Sequence, residues 1–287
     1  VEDGCDAFCT YCIVPYARGR SRSMELSAVL ESIAGLVTQG VREVVLTGIH
    51  LGHYGRDLEP ACDLLQLLQA IAGLKSAIRV RLSSIEPLEL TDDLLSLVAG
   101  SDRFCRHFHI PLQSGDPEIL KRMGRPYSPG FFGELVEKIR DMMPDAAIGA
   151  DVLVGFPGET KAAFANTTSL IEGLPVSYLH VFPFSARPGT AACEFPDTVP
   201  AGTIKERCRQ LRQLGQQQRT RFYRSFIGHR VAVLAEATRD PATGLLKGVS
   251  SNYLPVLFAG NDSMKNTIVQ ATIDRESAGS LFGTADS

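Results

Sequence analysis

Up to about residue 185, short apolar runs of strand length alternate with segments of helical periodicity, and this alternation constrains the fold more than any other feature of the chain. Within residues 27–39, Val29, Leu30, Ile33, Leu36 and Val37 recur at helical spacing, and Gly40 stands where such a helix would stop. Residues 43–47, Glu-Val-Val-Leu-Thr, then read as a buried strand. The cycle repeats with helices expected over 63–72, 92–99, 129–142 and 161–172, and strands over 78–82, 107–111, 146–154 and 178–183. That pattern predicts an α/β fold of βα units around a parallel sheet, and a barrel of this kind carries its chemistry on loops at the carboxyl ends of the strands. His50, Ser84, Glu86, Gln113, Ser114, Gly155 and Pro157 all fall just after a predicted strand.

The composition changes after Pro200. A helical stretch over 204–226 carries seven basic residues, Lys205, Arg207, Arg209, Arg212, Arg219, Arg221 and Arg224, against one Glu. Beyond Gly228, strand-like segments at 231–235, 254–258 and 267–273 are joined by Gly, Asn and Asp turns, which predicts a small β-barrel or sandwich. With 287 residues, 44% of them hydrophobic, the chain can bury two cores, and the expected division is 1–223 and 224–287. No run of about 18 apolar residues suggests a membrane span, and the first residues resemble no signal peptide, so a cytoplasmic location is expected. The chain lacks an initiator Met and reaches a cysteine motif within five residues, as a fragment of something longer would.

Three of the seven cysteines, Cys5, Cys9 and Cys12, crowd into eight residues, whereas Cys62, Cys105, Cys193 and Cys208 are scattered. That distribution favours metal ligation by the triplet over a disulfide framework, with the other four as packing residues. Three soft thiolates can hold three corners of a 4Fe-4S cluster and leave one iron open to chelate a small molecule through amino and carboxylate groups. The competing structural zinc site needs a fourth ligand, and no further Cys or His occurs before His50.

Cys5-Asp-Ala-Phe-Cys9-Thr-Tyr-Cys12 resembles the CxxxCxxC cluster loop of the radical-SAM superfamily. Ile13-Val-Pro-Tyr-Ala-Arg-Gly-Arg-Ser-Arg-Ser23, His109-Ile-Pro-Leu-Gln-Ser-Gly115, Met123-Gly-Arg-Pro-Tyr127 and Asp151-Val-Leu-Val-Gly-Phe-Pro-Gly-Glu159 extend the resemblance to the methylthiotransferases of that superfamily. Leu46-Thr-Gly-Ile-His-Leu-Gly52 is most similar to the branch that modifies N6-threonylcarbamoyladenosine at position 37 of tRNA. The resemblance implies a partial (β/α) barrel followed by a small all-β TRAM-like domain, a 4Fe-4S cluster, S-adenosylmethionine (SAM) as cofactor and a low-potential electron donor. It also implies that the cluster reduces SAM to a 5′-deoxyadenosyl radical, and that a methylthio group is added to C2 of the nucleoside in the tRNA anticodon loop. A second 4Fe-4S cluster is implied in an N-terminal domain that this chain lacks, so the chain is expected to cleave SAM without completing sulfur insertion. Alternatives are isopentenyladenosine or a ribosomal-protein aspartate as substrate, or a zinc-stabilised RNA-binding module without catalysis.

By the same resemblance Tyr11 lies against the cofactor, and Thr47 and Gly48 hold the methionyl amino group. Ser84, Glu86 and Gln113 are candidates for its carboxylate, amine or ribose, although Ser84 and Glu86 are equally suited to cap the turn before Pro87. Gly155 would let the backbone approach adenine, unless it serves a tight turn alone. No metal is assigned to His50, His53, His107, His109 or His180, which form no zincin-type helical pair. Arg18, Arg20 and Arg22, with Arg212, Arg219 and Arg221 of the basic helix, are the expected tRNA phosphate contacts. Gly248-Val-Ser-Ser-Asn-Tyr253 carries the TRAM resemblance, and residues 224–287 hold six basic and six acidic side chains, so charge alone does not mark that domain for RNA.

Overall fold

A computed structural model describes residues 1–286. Two short antiparallel segments, β1 (Glu2–Asp3) and β2 (Arg22–Ser23), bracket the cysteine loop and a short helix, α1 (Val14–Arg18). Five βα cycles follow: α2 (Leu26–Thr38) to β3 (Glu43–Leu46), α3 (Leu64–Ala72) to β4 (Arg79–Leu82), α4 (Asp92–Ala99) to β5 (His107–Gln113), α5 (Pro117–Met123) and α6 (Pro129–Met142) to β6 (Ala147–Val154), and α7 (Lys161–Gly173) to β7 (Tyr178–Pro183). β3 pairs with β4 and β5–β6–β7 pair in order, all in parallel. Parallel bridges from Val80 to Phe104 and from Ser84 to His109 join the two groups, and the Val1 amino group donates to Thr47 O at 2.8 Å. The expected βα alternation is therefore present, with α5 added.

The helices start where local chemistry places them. Asp63 and Gln66 form a reciprocal capping box at α3, and Thr91, Asp116, Ser128 and Thr160 cap α4, α5, α6 and α7 through side-chain oxygens. One face of the sheet, including Val80, Leu82, Phe108, Ile110, Leu112, Ile148, Ala150 and Val152, is buried against the helices in the principal core. Because strand side chains alternate, the other face carries Glu43, Arg79, Arg81, His107, His109, Asp151, Tyr178 and His180. The inside of this partial barrel is thus polar. Among the described residues no helix is long and apolar enough to cross a membrane.

After β7 comes the long helix α8 (Ala201–Arg224), starting three residues earlier than its basic composition indicated. Tyr223 and Phe226, at and just beyond its end, enter the core of a closed five-stranded barrel made of β8 (Arg230–Arg239), β9 (Leu246–Ser250), β10 (Pro255–Ala259), β11 (Ile268–Ser277) and β12 (Ser280–Ala285). β9 and β12 escape a reading by strand propensity because each carries an interior glycine. At Gly248 the backbone of β8 approaches so closely that a Cβ would lie 2.3 Å from Leu234 O.

The small barrel covers the amino ends of the parallel strands through charges the periodicity did not flag. Glu43 accepts from Arg79 Nε at 2.5 Å and Arg81 Nε at 2.9 Å. The two guanidinium groups then donate to main-chain oxygens of Ala232 and Val249, and of Ser250 and Ser251, respectively. Tyr253, with a left-handed φ of 63°, stacks on His107 at 4.3 Å between ring centroids, with Arg81 5.1 Å from its centroid.

Candidate active site

The cysteine loop lies at the carboxyl ends of the strands and is held by main-chain contacts to distant elements. Cys5 N donates to Gly19 O at 3.1 Å, Thr10 N to Met123 O at 3.0 Å and Ala192 N to Thr10 O at 2.8 Å, while Thr10 Oγ1 donates to Arg122 O at 2.8 Å. Cys12 N closes a turn on Cys9 O at 2.9 Å. All three thiols are free and half-buried. Tyr11 packs edge-on to Phe156 at 6.4 Å. Burial raises the Cys12 thiol above its ordinary pKa, and the neighbouring Cys9 and Cys5 raise it further.

Two basic side chains face the sulfurs. Arg125, from the loop after α5, donates from Nη1 to Cys9 Sγ at 3.3 Å, pairs through Nη2 with Glu86, and donates from Nε to Tyr127 Oη at 3.1 Å. Tyr127 in turn donates to Pro111 O at 2.7 Å, which fixes this unit on the end of β5. Burial pushes the Glu86 carboxyl up, and Arg125 pulls it the other way. On the other side His50 Nδ1 lies 3.5 Å from Cys5 Sγ, and its Nε2 lies 2.7 Å from Glu89 Oε1. Burial works to lower the His50 imidazole, but Cys5 and Glu89 outweigh it and lift it to about 10. His53 stacks on His50 at 3.6 Å between centroids. These groups, with Arg56 and Leu88, line a cavity of about 390 Å³ beside Cys9.

Of the predicted cofactor residues, the structure places Glu86 in this cavity, Ser84 exposed at the end of β4, and Gln113 at the end of β5 with a left-handed φ of 63°. Thr47 is exposed at the end of β3. At two glycines the structure adds a packing reason for the missing side chain. A Cβ at Gly48 would meet Glu2 Oε2 at 2.9 Å, so its bareness makes room for the buried Glu2 carboxylate, which accepts from His50 N at 2.8 Å. Gly155 has φ 83°, and a Cβ there would lie 2.4 Å from Ile204 of α8; the space faces the helix packed behind it. Glu86 also corrects the capping alternative, because its side chain pairs with Arg125 and makes no cap hydrogen bond.

The arginines divide as well. Arg207, counted in the basic stretch, is buried and donates to Glu159 Oε1 at 2.5 Å, and Arg209 pairs with Glu206. Arg18, Arg20, Arg22 and Arg221 are all exposed, and Arg18 and Arg22 both pair with Asp3. Arg212 and Arg219 line one cavity at the other end of the sheet. Sequence reasoning did not single out Arg125, which stands in Met123-Gly-Arg-Pro-Tyr127, nor the chain in which Tyr178 Oη bridges His107 Nε2 at 2.7 Å and His109 Nδ1 at 3.1 Å, with His109 Nε2 2.7 Å from Asp151. The strand alternation placing all four on the inner face was the available signal.

A family profile described as the radical SAM superfamily matches residues 2–171. The chain is 41% identical over 257 residues to the threonylcarbamoyladenosine tRNA methylthiotransferase MtaB of Rickettsia prowazekii, covering 89% of this chain and 59% of that protein. The enzyme of the same description from Thermotoga maritima is 41% identical over 262 residues, covering 91% and 59%. A tRNA-2-methylthio-N(6)-dimethylallyladenosine synthase of Pelotomaculum thermopropionicum is 35% identical over 270 residues, covering 94% and 60%. The chain therefore spans about three fifths of the length of these curated relatives. Among solved structures, the radical S-adenosylmethionine methyltransferase TsrM of Kitasatospora setae superposes with a TM-score of 0.55 at 20% identity, over 67% of this chain and 37% of that one, a likeness of fold. With the cysteine loop at the carboxyl ends of a parallel sheet and the profile matching from β1 into α7, the chain belongs to the radical SAM superfamily.

Proposed function

We propose that this chain is the cluster- and SAM-binding part of a tRNA methylthiotransferase that acts on N6-threonylcarbamoyladenosine at position 37 of the anticodon loop. The observation that carries the reading is the loop of three free thiols with Arg125 against Cys9 and His50 against Cys5. This donor set fits a 4Fe-4S cluster: three soft sulfur ligands with cationic neighbours suited to its negative charge. Cys5, Cys9 and Cys12 would hold it, and when bound it supplies the electron for reductive cleavage of SAM, renewed by a low-potential donor. Glu86, Ser84, Gln113 and Thr47, at the carboxyl ends of the strands, and the Tyr11 backbone are the candidates for contact with SAM, and Glu86 suits an ammonium or ribose hydroxyl.

Two observations favour the threonylcarbamoyl substrate over an isopentenyl one. Identity to the threonylcarbamoyladenosine enzymes reaches 41%, against 35% for the dimethylallyladenosine synthases. The cavity beside Cys9 also presents Arg56 and the imidazoles of His50 and His53, with Glu86 and Glu89 beside them, polar groups that a hydroxyl- and carboxylate-bearing substituent can engage.

Anaerobic reconstitution with iron and sulfide, followed by low-temperature EPR with and without SAM, tests the cofactor assignment. A reduced-cluster signal that changes with SAM and is lost in Cys9→Ala is expected, and zinc without iron or sulfide would overturn it. Nucleoside analysis of tRNA after complementation with the whole protein tests the substrate. Accumulation of 2-methylthio-threonylcarbamoyladenosine is the expected product; its absence rejects the substrate assignment.

A further inference from the structure

A cavity of about 450 Å³ opens between the edge strand β7, one face of α8 and the Tyr253 turn. Ala147 and Tyr178, which line it, are the first residues of β6 and β7, so it lies at the opposite end of the sheet from the cysteine loop. Its volume falls in the range of small-ligand sites, about 300–1,000 Å³. Among the described residues no carboxylate lines it, and its charged groups are Arg212 and Arg219, which with Gln216 occupy one face of α8 at helical spacing. Arg212 Nη2 is anchored on Val181 O at 3.1 Å. Arg219 pairs with Gln216, and its Nε is buried without a hydrogen-bond partner among the described residues. An unpaired buried donor is costly, and a phosphate oxygen is the acceptor that guanidinium groups select.

The remaining wall is aromatic. Tyr253 rests on His107, remains 45% exposed, and lies 5.9 Å from Tyr178; His180, half exposed, lies 5.4 Å from Tyr178. Aromatic faces beside guanidinium groups, without carboxylates, form a surface for an unpaired nucleotide, whose base stacks and whose phosphate pairs with arginine. Tyr178 and His180 belong both to this cavity and to the polar inner face of the partial barrel.

We propose that this cavity binds one unpaired nucleotide of the RNA substrate, away from the nucleotide that is modified, its base against Tyr253 and His180 and its phosphate on Arg212 and Arg219. This rests on the reading of the substrate as tRNA. The test is fluorescence anisotropy of a labelled anticodon stem-loop, titrated with the chain at several salt concentrations, for the parent and for Tyr253→Ala, Arg219→Gln and the exposed-site variant Arg212→Gln. Tyr253→Ala is expected to weaken binding about tenfold through lost stacking. Each arginine substitution should lower the slope of log affinity against log salt by about 0.7. Parent-like affinity and slope in all three variants overturn the cavity assignment while leaving the tRNA reading in place. A parent that binds no stem-loop overturns both. Displacement of the stem-loop by adenosine 5′-monophosphate at equal concentration would identify a free nucleotide as the ligand and also overturn the proposal.

Discussion

Arg125 donates to Cys9 Sγ at 3.3 Å across 116 residues of sequence, and the same guanidinium pairs with Glu86 on the loop after β4. One side chain thus ties the cysteine loop to the ends of two strands. Its own side chain is 4% exposed and that of Glu86 27%.

Removing one member of a buried pair leaves the other charge uncompensated. Arg125→Gln is expected to cost about 3 kcal/mol of unfolding free energy, and the Glu86→Gln, Arg125→Gln double variant less than the sum of the single losses. Urea unfolding of the cluster-free chain measures the cycle. Strict additivity would show that the pair is not energetically coupled.

Glu43 stands between Arg79 and Arg81, whose guanidinium groups grip the main chain of the small barrel. Glu43→Gln leaves two buried like charges side by side and should destabilise the chain by about 3 kcal/mol. Because the loss falls on the junction, limited proteolysis should cut near residues 225–229 faster than in the parent. Equal cleavage rates would mean that other contacts hold the barrel in place.

At Gly155 two costs combine: a left-handed φ of 83° and a Cβ 2.4 Å from Ile204. Gly155→Ala should lose about 3 kcal/mol, summing a backbone penalty of about 1–2 with overpacking of similar size. Adding Ile204→Ala relieves the overpacking alone, so thermal unfolding of the double variant should show partial recovery relative to the sum of the single losses. Full additivity would locate the strain elsewhere.

His107 is buried, and burial, followed by the Arg81, His109 and His180 charges, holds it down to about 3. The folded chain therefore resists a proton that the unfolded chain accepts near about 6.5. This contribution to stability is complete above about pH 6.5 and is lost as pH falls toward 3, at about 1.4 kcal/mol per pH unit. Urea midpoints between pH 7 and 5 should fall more steeply for the parent than for His107→Phe. Parallel pH profiles would remove His107 as the titrating group.

Much of the architecture was local and so legible in the sequence. The cysteine spacing is a property of eight consecutive residues, and the βα alternation follows from apolar periods that each helix and strand carries within itself. Helix α4 and helix α6 span the residues their periodicity indicated, and N-caps at Thr91 and Ser128 fix where they start. The glycine-bearing strands β9 and β12 were not legible, since their stability comes from the closed barrel rather than from propensity. The partners of charged and bare residues were decided by the tertiary structure alone. A period of two places Glu43, Arg79, Arg81, His107 and Asp151 on one face, but not which of them meet. Basic composition likewise cannot separate Arg207, neutralised in the core by Glu159, from Arg212 and Arg219 beside the open cavity. Nor does Gly155 disclose in sequence that its missing side chain accommodates Ile204. Hydrophobic periodicity records the direction in which a side chain leaves its own element, whereas charge pairing and close approach depend on elements brought together from tens of residues away.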